Sequence, residues 1–370
     1  MNGIHKEIIS FSRSFEKSLA DTFLWHRFLK VNLEKSPKHK IEAVRFLSIE
    51  SPLDLARLLM VSFSELELLI NHPEYRMFPI KKSGGGHRMI HAPASELKRV
   101  QKRINHFLQS YYLWIKPAVV YGFVINPSYL EKRCNIVENA RNHIGKKHLL
   151  NLDLLDFFPG ITARRVKELF LSEYFQFTDQ LATALALLVT YQGKLPAGAP
   201  SSPVVSNLIC LEIDDELQDL SNKHHWKYSR YADDLSFSSD RPFENTDMQL
   251  IREVIEKHHF KLNMRKVRLQ GSNRKQTVTG LVVNEKVNID RKFIRKTRAM
   301  IHDLRENGLD KAAISHFGHE LGNQTRYQHK FINRLDGYIN FIGQVRGRHD
   351  SLFLKLNQDL WSYFERIDVE

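Results

Sequence analysis

Asp233 and Asp234 are adjacent acids in the run Tyr228-Ser-Arg-Tyr-Ala-Asp-Asp-Leu-Ser-Phe237. Tyr231 and Phe237 favour a strand, whereas Asp is depleted from strands, so the pair needs a reason. A hairpin turn is one, although Asp-Asp followed by Leu is a poor primed-turn sequence. A bound cation is the other. Two close carboxylates repel unless a cation lies between them, and hard oxygen ligands suit Mg²⁺. A second acidic segment lies 80 residues before Asp233, in Lys147-His-Leu-Leu-Asn-Leu-Asp-Leu-Leu-Asp-Phe-Phe-Pro159. Its apolar run predicts a buried strand with Asp153 and Asp156 at its end. Two metal ions need carboxylates from at least two segments, the arrangement that serves in-line phosphoryl transfer.

The elements that must position these acids are legible in outline. Phe11, Phe15, Leu19 and Phe23 recur every four residues and predict a helix over 8–29, before a basic break at Ser36–Lys40. Ser51-Pro52 starts a helix with a cap and a first-turn proline, and Ser62-Phe-Ser-Glu65 fits a capping box. Such a pair resembles a DNA-reading helix-turn-helix, but Glu65, Leu66, Glu67, Leu68, Leu69 and Ile70 are acids and apolar residues, which favours packing. Tyr75 to Pro93 reads as a hairpin around Lys81-Lys-Ser-Gly-Gly-Gly-His-Arg88. Its glycines let a ligand approach the backbone, and Lys82 and Arg88 either hold phosphate oxygens or form a solvated basic loop. Residues 95–115 form an amphipathic helix, with Leu97, Val100, Ile104, Leu108 and Tyr111 on one face and Lys98, Arg99, Lys102 and Arg103 largely off it.

Asn139-Ala-Arg-Asn-His143 is a polar segment that can cap a helix. Val166, Leu169 and Phe170 fit one helix, and Leu181 to Val189 a buried one. Leu195 to Pro203 holds three prolines and one glycine, a rigid loop in which Gly198 admits close approach to a base pair. Val205, Ile209, Ile213, Leu217 and Leu220 predict one helix, residues 248–260 another, and Phe260 to Lys266 turns into a strand. Thr277 to Val283 reads as a strand that Thr279 and Gly280 interrupt. From residue 290 the pattern is helical: Phe331, Leu335, Tyr338 and Ile342 mark a core face. Arg291, Lys292, Arg295, Lys296 and Arg298 make a basic end suited to duplex phosphates.

Composition bounds the function class. The chain has 370 residues, is 42% hydrophobic and carries a formal charge of +13, which suits a sizeable core and a polyanionic partner. Cys134 and Cys210 make neither a disulfide framework nor a zinc pattern. The pairs His224-His225 and His258-His259 have no partners at metal-ligand spacing. No apolar run reaches the roughly 18 residues of a membrane span, and the first residues lack the apolar segment of a signal peptide. A soluble, cytoplasmic protein without a membrane partner is the expectation.

Tyr-Ala-Asp-Asp at 231–234 resembles the catalytic box of reverse transcriptases. Asn151-Leu-Asp-Leu-Leu-Asp-Phe-Phe-Pro-Gly160 resembles their first carboxylate motif, and Leu195-Pro-Ala-Gly-Ala-Pro-Ser-Ser-Pro203 the loop between. Asn139-Ala-Arg-Asn-His143 and Val278-Thr-Gly280 narrow the resemblance to retron reverse transcriptases. It runs from about residue 50 to about residue 345, with five motifs in the family's order.

The resemblance implies an α+β right hand: fingers, a palm whose antiparallel sheet carries the acids, and a helical thumb. The implied divisions are an N-terminal helical segment over 1–50, fingers and palm over 51–290, and a thumb over 291–370. It implies an RNA-directed DNA polymerase with two Mg²⁺ ions on Asp153, Asp233 and Asp234. Lys82, Arg88, Asp156, Phe158, Gly198 and Lys266 would serve the nucleotide. Phe158 would gate its sugar, and Lys266, with Arg265 and Arg268 as competitors, would meet the leaving pyrophosphate. Asn139, His143, Val278, Thr279 and Gly280 would serve RNA recognition. The chain has Ala197 where the family usually has Gln, which removes a polar contact near the nucleotide sugar.

The implied partners are a structured non-coding RNA as template and primer, the RNA–DNA hybrid, deoxynucleoside triphosphates and an effector protein. Synthesis would start from a 2′-hydroxyl of the RNA, and the branched product would serve antiphage defence. Three alternatives stay open: another defence-associated reverse transcriptase, a group II intron-like enzyme, and a catalytically inactive RNA-binding scaffold.

Overall fold

The computed structural model describes residues 37–81, 85–130, 133–317 and 324–367. The helix expected over 8–29 lies outside these residues, as does Lys82. In chain order the elements begin with α1 (Lys38–Leu47), α2 (Pro52–Leu59), α3 (Phe63–Asn71), β1 (Tyr75–Lys81), β2 (His87–Pro93) and α4 (Ser95–Ile115). Then come α5 (Ile136–Arg141), β3 (His148–Asp153), α6 (Ala163–Leu171), α7 (Asp179–Val189), α8 (Ser202–Ile209) and α9 (Leu211–Lys223). They are followed by β4 (Lys227–Tyr231), β5 (Asp234–Ser239), α10 (Asn245–Lys257), β6 (Arg268–Gly271), β7 (Thr277–Val278) and β8 (Leu281–Val282). Last are α11 (Arg291–Phe317), α12 (Gln324–Arg346) and α13 (Ser351–Ile367). The mixture of helices and antiparallel strands is the expected α+β class. Packing divides the chain into two compact units. One takes residues up to Cys134, Leu152–Leu235 and Glu244–Val267; the other takes Asn135–Asn151, Ser236–Phe243 and Arg268 onward.

The first unit is built on aromatic and aliphatic faces. α1 forms where the sequence suggested only a basic break, because Ala43, Val44, Phe46 and Leu47 share a buried face. Phe46 meets Phe107, Phe175 and Phe177 at ring separations of 5.9, 6.2 and 5.6 Å. At α2, Ser51 caps as its type predicts, its hydroxyl accepting from the Asp54 amide at 3.2 Å. At α3 only half of the capping box forms. Ser62 accepts from the Glu65 amide at 3.1 Å, but the Glu65 carboxylate turns to Arg99 at 2.8 Å. Leu55, Leu59 and Leu66 are fully buried, so the helix pair packs as expected. On α4, Leu97, Val100, Ile104, Leu108 and Tyr111 are all interior, each aliphatic one contributing about 1.5–3 kcal/mol by burial.

β1 and β2 pair antiparallel from Tyr75 opposite Pro93 to Lys81 opposite His87. The helix expected from Val205 to Leu220 is broken at Cys210, whose φ of −89° and ψ of 4° separate α8 from α9. The strand expected after Phe260 is reduced to one bridge, Leu262 to Leu154, and a 3₁₀ turn at Met264–Lys266. The four-stranded sheet runs β4-β5-β3-β6, so β3, which ends in Asp153, lies beside β5, which begins with Asp234.

The second unit has its own apolar core, to which α5, β7, β8 and the three last helices contribute Val137, Val278, Leu281, Leu304, Phe331 and Leu356. Gly308 interrupts α11 with φ 75° and ψ 168°, and the Leu309 amide donates to Tyr363 Oη at 2.9 Å. Thr277 to Val283 is a hairpin rather than one strand. Thr279 and Gly280, with φ of 47° and 82°, form its two-residue turn, positive at both central residues as a primed turn requires.

Candidate active site

The stretch Tyr228–Phe237 is two strands, β4 and β5, joined by Ala232 and Asp233. Turn and carboxylates, posed as alternatives by the sequence, coincide. The backbone reverses at Ala232, where φ is 58°, a position that a II′ turn usually gives to glycine. Gly122 explains part of the geometry: a Cβ on it would stand 2.4 Å from the Ala232 nitrogen, so only glycine fits against the turn. The turn is tied to the other acidic segment, since the Leu154 amide donates to the Asp233 carbonyl at 3.0 Å. That bond sets the end of β3, with Asp153, beside Asp233.

The two acids open on one cavity of about 620 Å³, large enough for a nucleotide. Arg88, Phe158, Tyr191, Ala197, Asn263 and Lys266 are also in its wall. Lys266 Nζ donates to Asp153 Oδ1 at 2.6 Å, and Asn263 Nδ2 to Oδ2 at 3.2 Å. Burial, above all, pushes the Asp233 carboxyl above the usual carboxylate range; the Asp153 charge adds to the rise, while Arg88 and Lys266 oppose it. A carboxylate so placed favours a cation.

Asp234 stands differently. It is exposed at the start of β5 and is not part of the cavity wall. Among the described residues no cluster of three or more metal-ligating side chains forms. The donor set nevertheless fits Mg²⁺, which is commonly held by one or two carboxylates plus substrate phosphates rather than by a full protein cage. Asp153 and Asp233 are such a pair.

The other residues singled out by the sequence fall into three groups. Arg88, Asp156, Phe158 and Lys266 line the cavity, Asp156 with φ 48° in an exposed turn. Phe157 is buried and stacks on Phe260 at 5.8 Å, while Phe158 is half-buried, with its ring 5.8 Å from that of Phe123. Both rings follow the end of β3, so a turn, not strand alternation, separates them. Gly198 makes its close approach to β2: a Cβ there would meet Ile90 Cγ2 at 2.6 Å and the His91 carbonyl at 3.0 Å. The His91 amide donates to the Ala197 carbonyl at 2.8 Å, which docks the proline-rich loop on the hairpin.

The third group lies in the second unit. Asn139, His143 and Val278 are buried, at 1%, 0% and 0% exposure, so their side chains do not present themselves to an RNA. His143 Nδ1 bonds Ser238 Oγ at 2.7 Å. Thr279 is half-buried and donates to the Ile136 carbonyl at 3.3 Å; Gly280 is exposed at the turn. The Asn-Ala-x-x-His segment therefore reads as a frame. His143→Ala should destabilise the protein by about 1–3 kcal/mol, because it leaves a buried polar partner unpaired. A denaturant titration measures this, and extension of a generic primer should fall in step with the folded fraction. Unchanged stability with selective loss of one RNA substrate would return His143 to direct recognition.

Asn263 escaped the sequence reading, although its place three residues before Lys266 was a usable signal. Arg230 and Asp214 escaped it too. An arginine among strand formers and an aspartate beside the stripe residue Ile213 are the marks they leave.

Residues 80–283 match the model of the reverse transcriptase (RNA-dependent DNA polymerase) family. The Retron Ec86 reverse transcriptase of Escherichia coli is 32% identical over 259 residues, spanning 68% of this chain and 77% of that protein. The Retron Mx65 reverse transcriptase of Myxococcus xanthus is 32% identical over 250 residues, 62% of this chain and 55% of its own length. The Retron Mx162 reverse transcriptase of the same organism is 30% identical over 321 residues, 72% and 62% respectively. The chain thus matches less than two thirds of the length of these two Myxococcus proteins. A solved telomerase from Candida albicans, in complex with a fragment of telomeric RNA, is similar at TM-score 0.40 and 10% identity, over 79% of this chain and 63% of that one. Among the described residues no helix is long and apolar enough to cross a membrane.

Proposed function

The chain belongs to the reverse transcriptase family, in its retron type, and from that premise we propose that it copies a structured non-coding RNA into DNA that stays joined to the RNA. The observation that carries this is the meeting of Asp153 and Asp233, from separate segments, in a cavity that also holds Arg88, Phe158 and Lys266. A scaffold has no need of two carboxylates held together where burial and mutual repulsion work against their charge. The formal charge of +13 suits RNA and RNA–DNA hybrid as partners.

In the reaction, a hydroxyl oxygen of the primer attacks the α-phosphorus of a deoxynucleoside triphosphate. The new O–P bond forms as the bond to pyrophosphate breaks, and the hydroxyl proton passes to solvent water. Two Mg²⁺ ions held by Asp153 and Asp233, with Asp234 as third acid, would lower the pKa of the attacking hydroxyl and neutralise the leaving phosphates. Arg88, in the cavity wall, would hold phosphate oxygens with its planar fork. Lys266 neutralises Asp153 and stands in the same wall, from which it can meet charge on the leaving group. Phe158 bounds the side of the cavity where the sugar would lie. In this reading residues 51–290 supply fingers and palm, and the helices from Arg291 onward the thumb. The first priming hydroxyl is a 2′-hydroxyl of the RNA, and the branched hybrid serves antiphage defence together with an effector protein.

The test is to sequence nucleic acid that co-purifies with the chain, before and after DNase and RNase treatment. Single-stranded DNA that DNase removes, and that keeps a ribonucleotide branch after RNase trimming, is the expected product. DNA of non-templated sequence, or DNA free of RNA, would replace this reading with that of another defence-associated reverse transcriptase. RNA without DNA, and no primer extension, would leave the scaffold.

A further inference from the structure

We propose that Arg230 is a positioning residue: from beneath the β4–β5 turn it sets where Asp233 stands in the active site. The proposal rests on the polymerase reading above. Arg230 is fully buried, and so is Asp214, its partner on α9. The guanidinium Nε and Nη2 donate to the two Asp214 oxygens at 2.7 and 2.6 Å. Tyr228 Oη donates to the same carboxylate at 2.8 Å. This fixes the Nε–Nη2 edge of the guanidinium, and the remaining nitrogen, Nη1, is aimed at the turn. Nη1 donates to the Ala232 carbonyl at 3.1 Å and to Asn207 Oδ1 at 2.9 Å. Asn207 in turn donates from Nδ2 to the Gly122 carbonyl at 3.0 Å.

The Ala232 carbonyl belongs to the peptide plane whose nitrogen is that of Asp233. Holding that oxygen therefore sets the direction in which the Asp233 side chain leaves the backbone. The hold is needed, because Ala232 has φ 58°, a conformation that an alanine keeps only where its surroundings over-determine it. Gly122 closes the other side of the turn by contact, and Asn207 links the two restraints.

A plain packing role for the ion pair explains less. A buried pair is often replaceable by apolar residues without loss of stability, so burial of both charges is weak support for a role in stability. A guanidinium, unlike an apolar residue or a lysine, serves the carboxylate and the turn at once.

Two variants test this. Arg230→Lys keeps the charge but not the fork. Asp214→Leu combined with Arg230→Met removes the buried charges together, so neither is left unpaired. Each is compared with the native chain by thermal melt, by primer extension with kcat and KM for the deoxynucleotide, and by Mn²⁺ affinity from paramagnetic resonance without substrate. At native folded fraction, kcat and Mn²⁺ affinity should each fall about 10–100-fold, the usual effect of removing a group that orients a metal ligand. KM and primer–template affinity should stay within about twofold, since Arg230 has no place in the cavity wall. A folded variant with native kcat and Mn²⁺ affinity overturns the proposal. So does a loss that tracks the folded fraction, or failure of both variants to fold, either of which assigns the pair to stability. If the native chain itself extends no primer, the polymerase reading fails, while the Mn²⁺ comparison still decides the role of Arg230.

Discussion

Asp233→Asn gives a folded chain that does not extend a primer. The amide is close to the carboxylate in shape, so the β4–β5 turn and the bond from the Leu154 amide to the Asp233 carbonyl persist. What disappears is the charge. Burial and Asp153 already raise the Asp233 pKa, which means that its ionised form costs folding stability at neutral pH. A group whose folded pKa lies above its unfolded one destabilises the fold once pH rises through the unfolded value. Removing the charge should therefore leave the melting temperature unchanged or slightly higher. Activity moves the other way, by about 10³-fold or more, at or beyond the upper end of what removing one preorganised electrostatic contact costs. Primer extension with Mg²⁺ beside a thermal melt checks both halves. Substantial extension by the folded variant would take Asp233 out of the mechanism.

Phe158→Ala changes which sugar the site accepts. Phe158 lies five residues beyond Asp153, half-buried in the cavity wall between Phe157 and Phe123, at ring separations of 5.5 and 5.8 Å. A ring packed against two others is restrained, and in the proposed reading a ribose 2′-hydroxyl would clash with it where deoxyribose fits. Phe157 is different, since it is buried against Phe260 and its loss would cost packing. Truncation at 158 should raise ribonucleotide use relative to deoxynucleotide by about 10–200-fold, the range that a reshaped pocket wall commands. Single-nucleotide insertion with each triphosphate on one primed RNA template measures it. Proportional loss with both triphosphates would reduce the ring to packing and place the gate elsewhere.

The acids, the hairpin from Tyr75 to Pro93 and the helix from Ser95 to Ile115 were legible in the chain itself, because each rests on local chemistry. Charge repulsion, strand alternation and helical periodicity act between residues near in sequence. The resemblance to retron reverse transcriptases was legible for the same reason, since its motifs are short and contiguous. Sequence patterning also misread elements whose form depends on distant neighbours. α1 owes its existence to an aromatic cluster shared with Phe107, Phe175 and Phe177. Thr277 to Val283 was misread for a local reason: it is a hairpin because Thr279 and Gly280 both take positive φ, which apolar content does not announce.

The tertiary structure alone decided which polar residues face the chemistry. The resemblance implied RNA recognition for Asn139 and His143, yet both are interior: α5, which carries Asn139, packs against β7 and β8, and His143 bonds Ser238. Gly198 looks like a site for a base pair, yet its missing side chain makes room for Ile90. Arg230 and Asp214, 16 residues apart, have nothing in their spacing to mark them as partners. Only folding brings α9 beneath β4. Once the pair is out of water, its charges need one another, and the remaining arm of the guanidinium is left to hold the turn that carries Asp233.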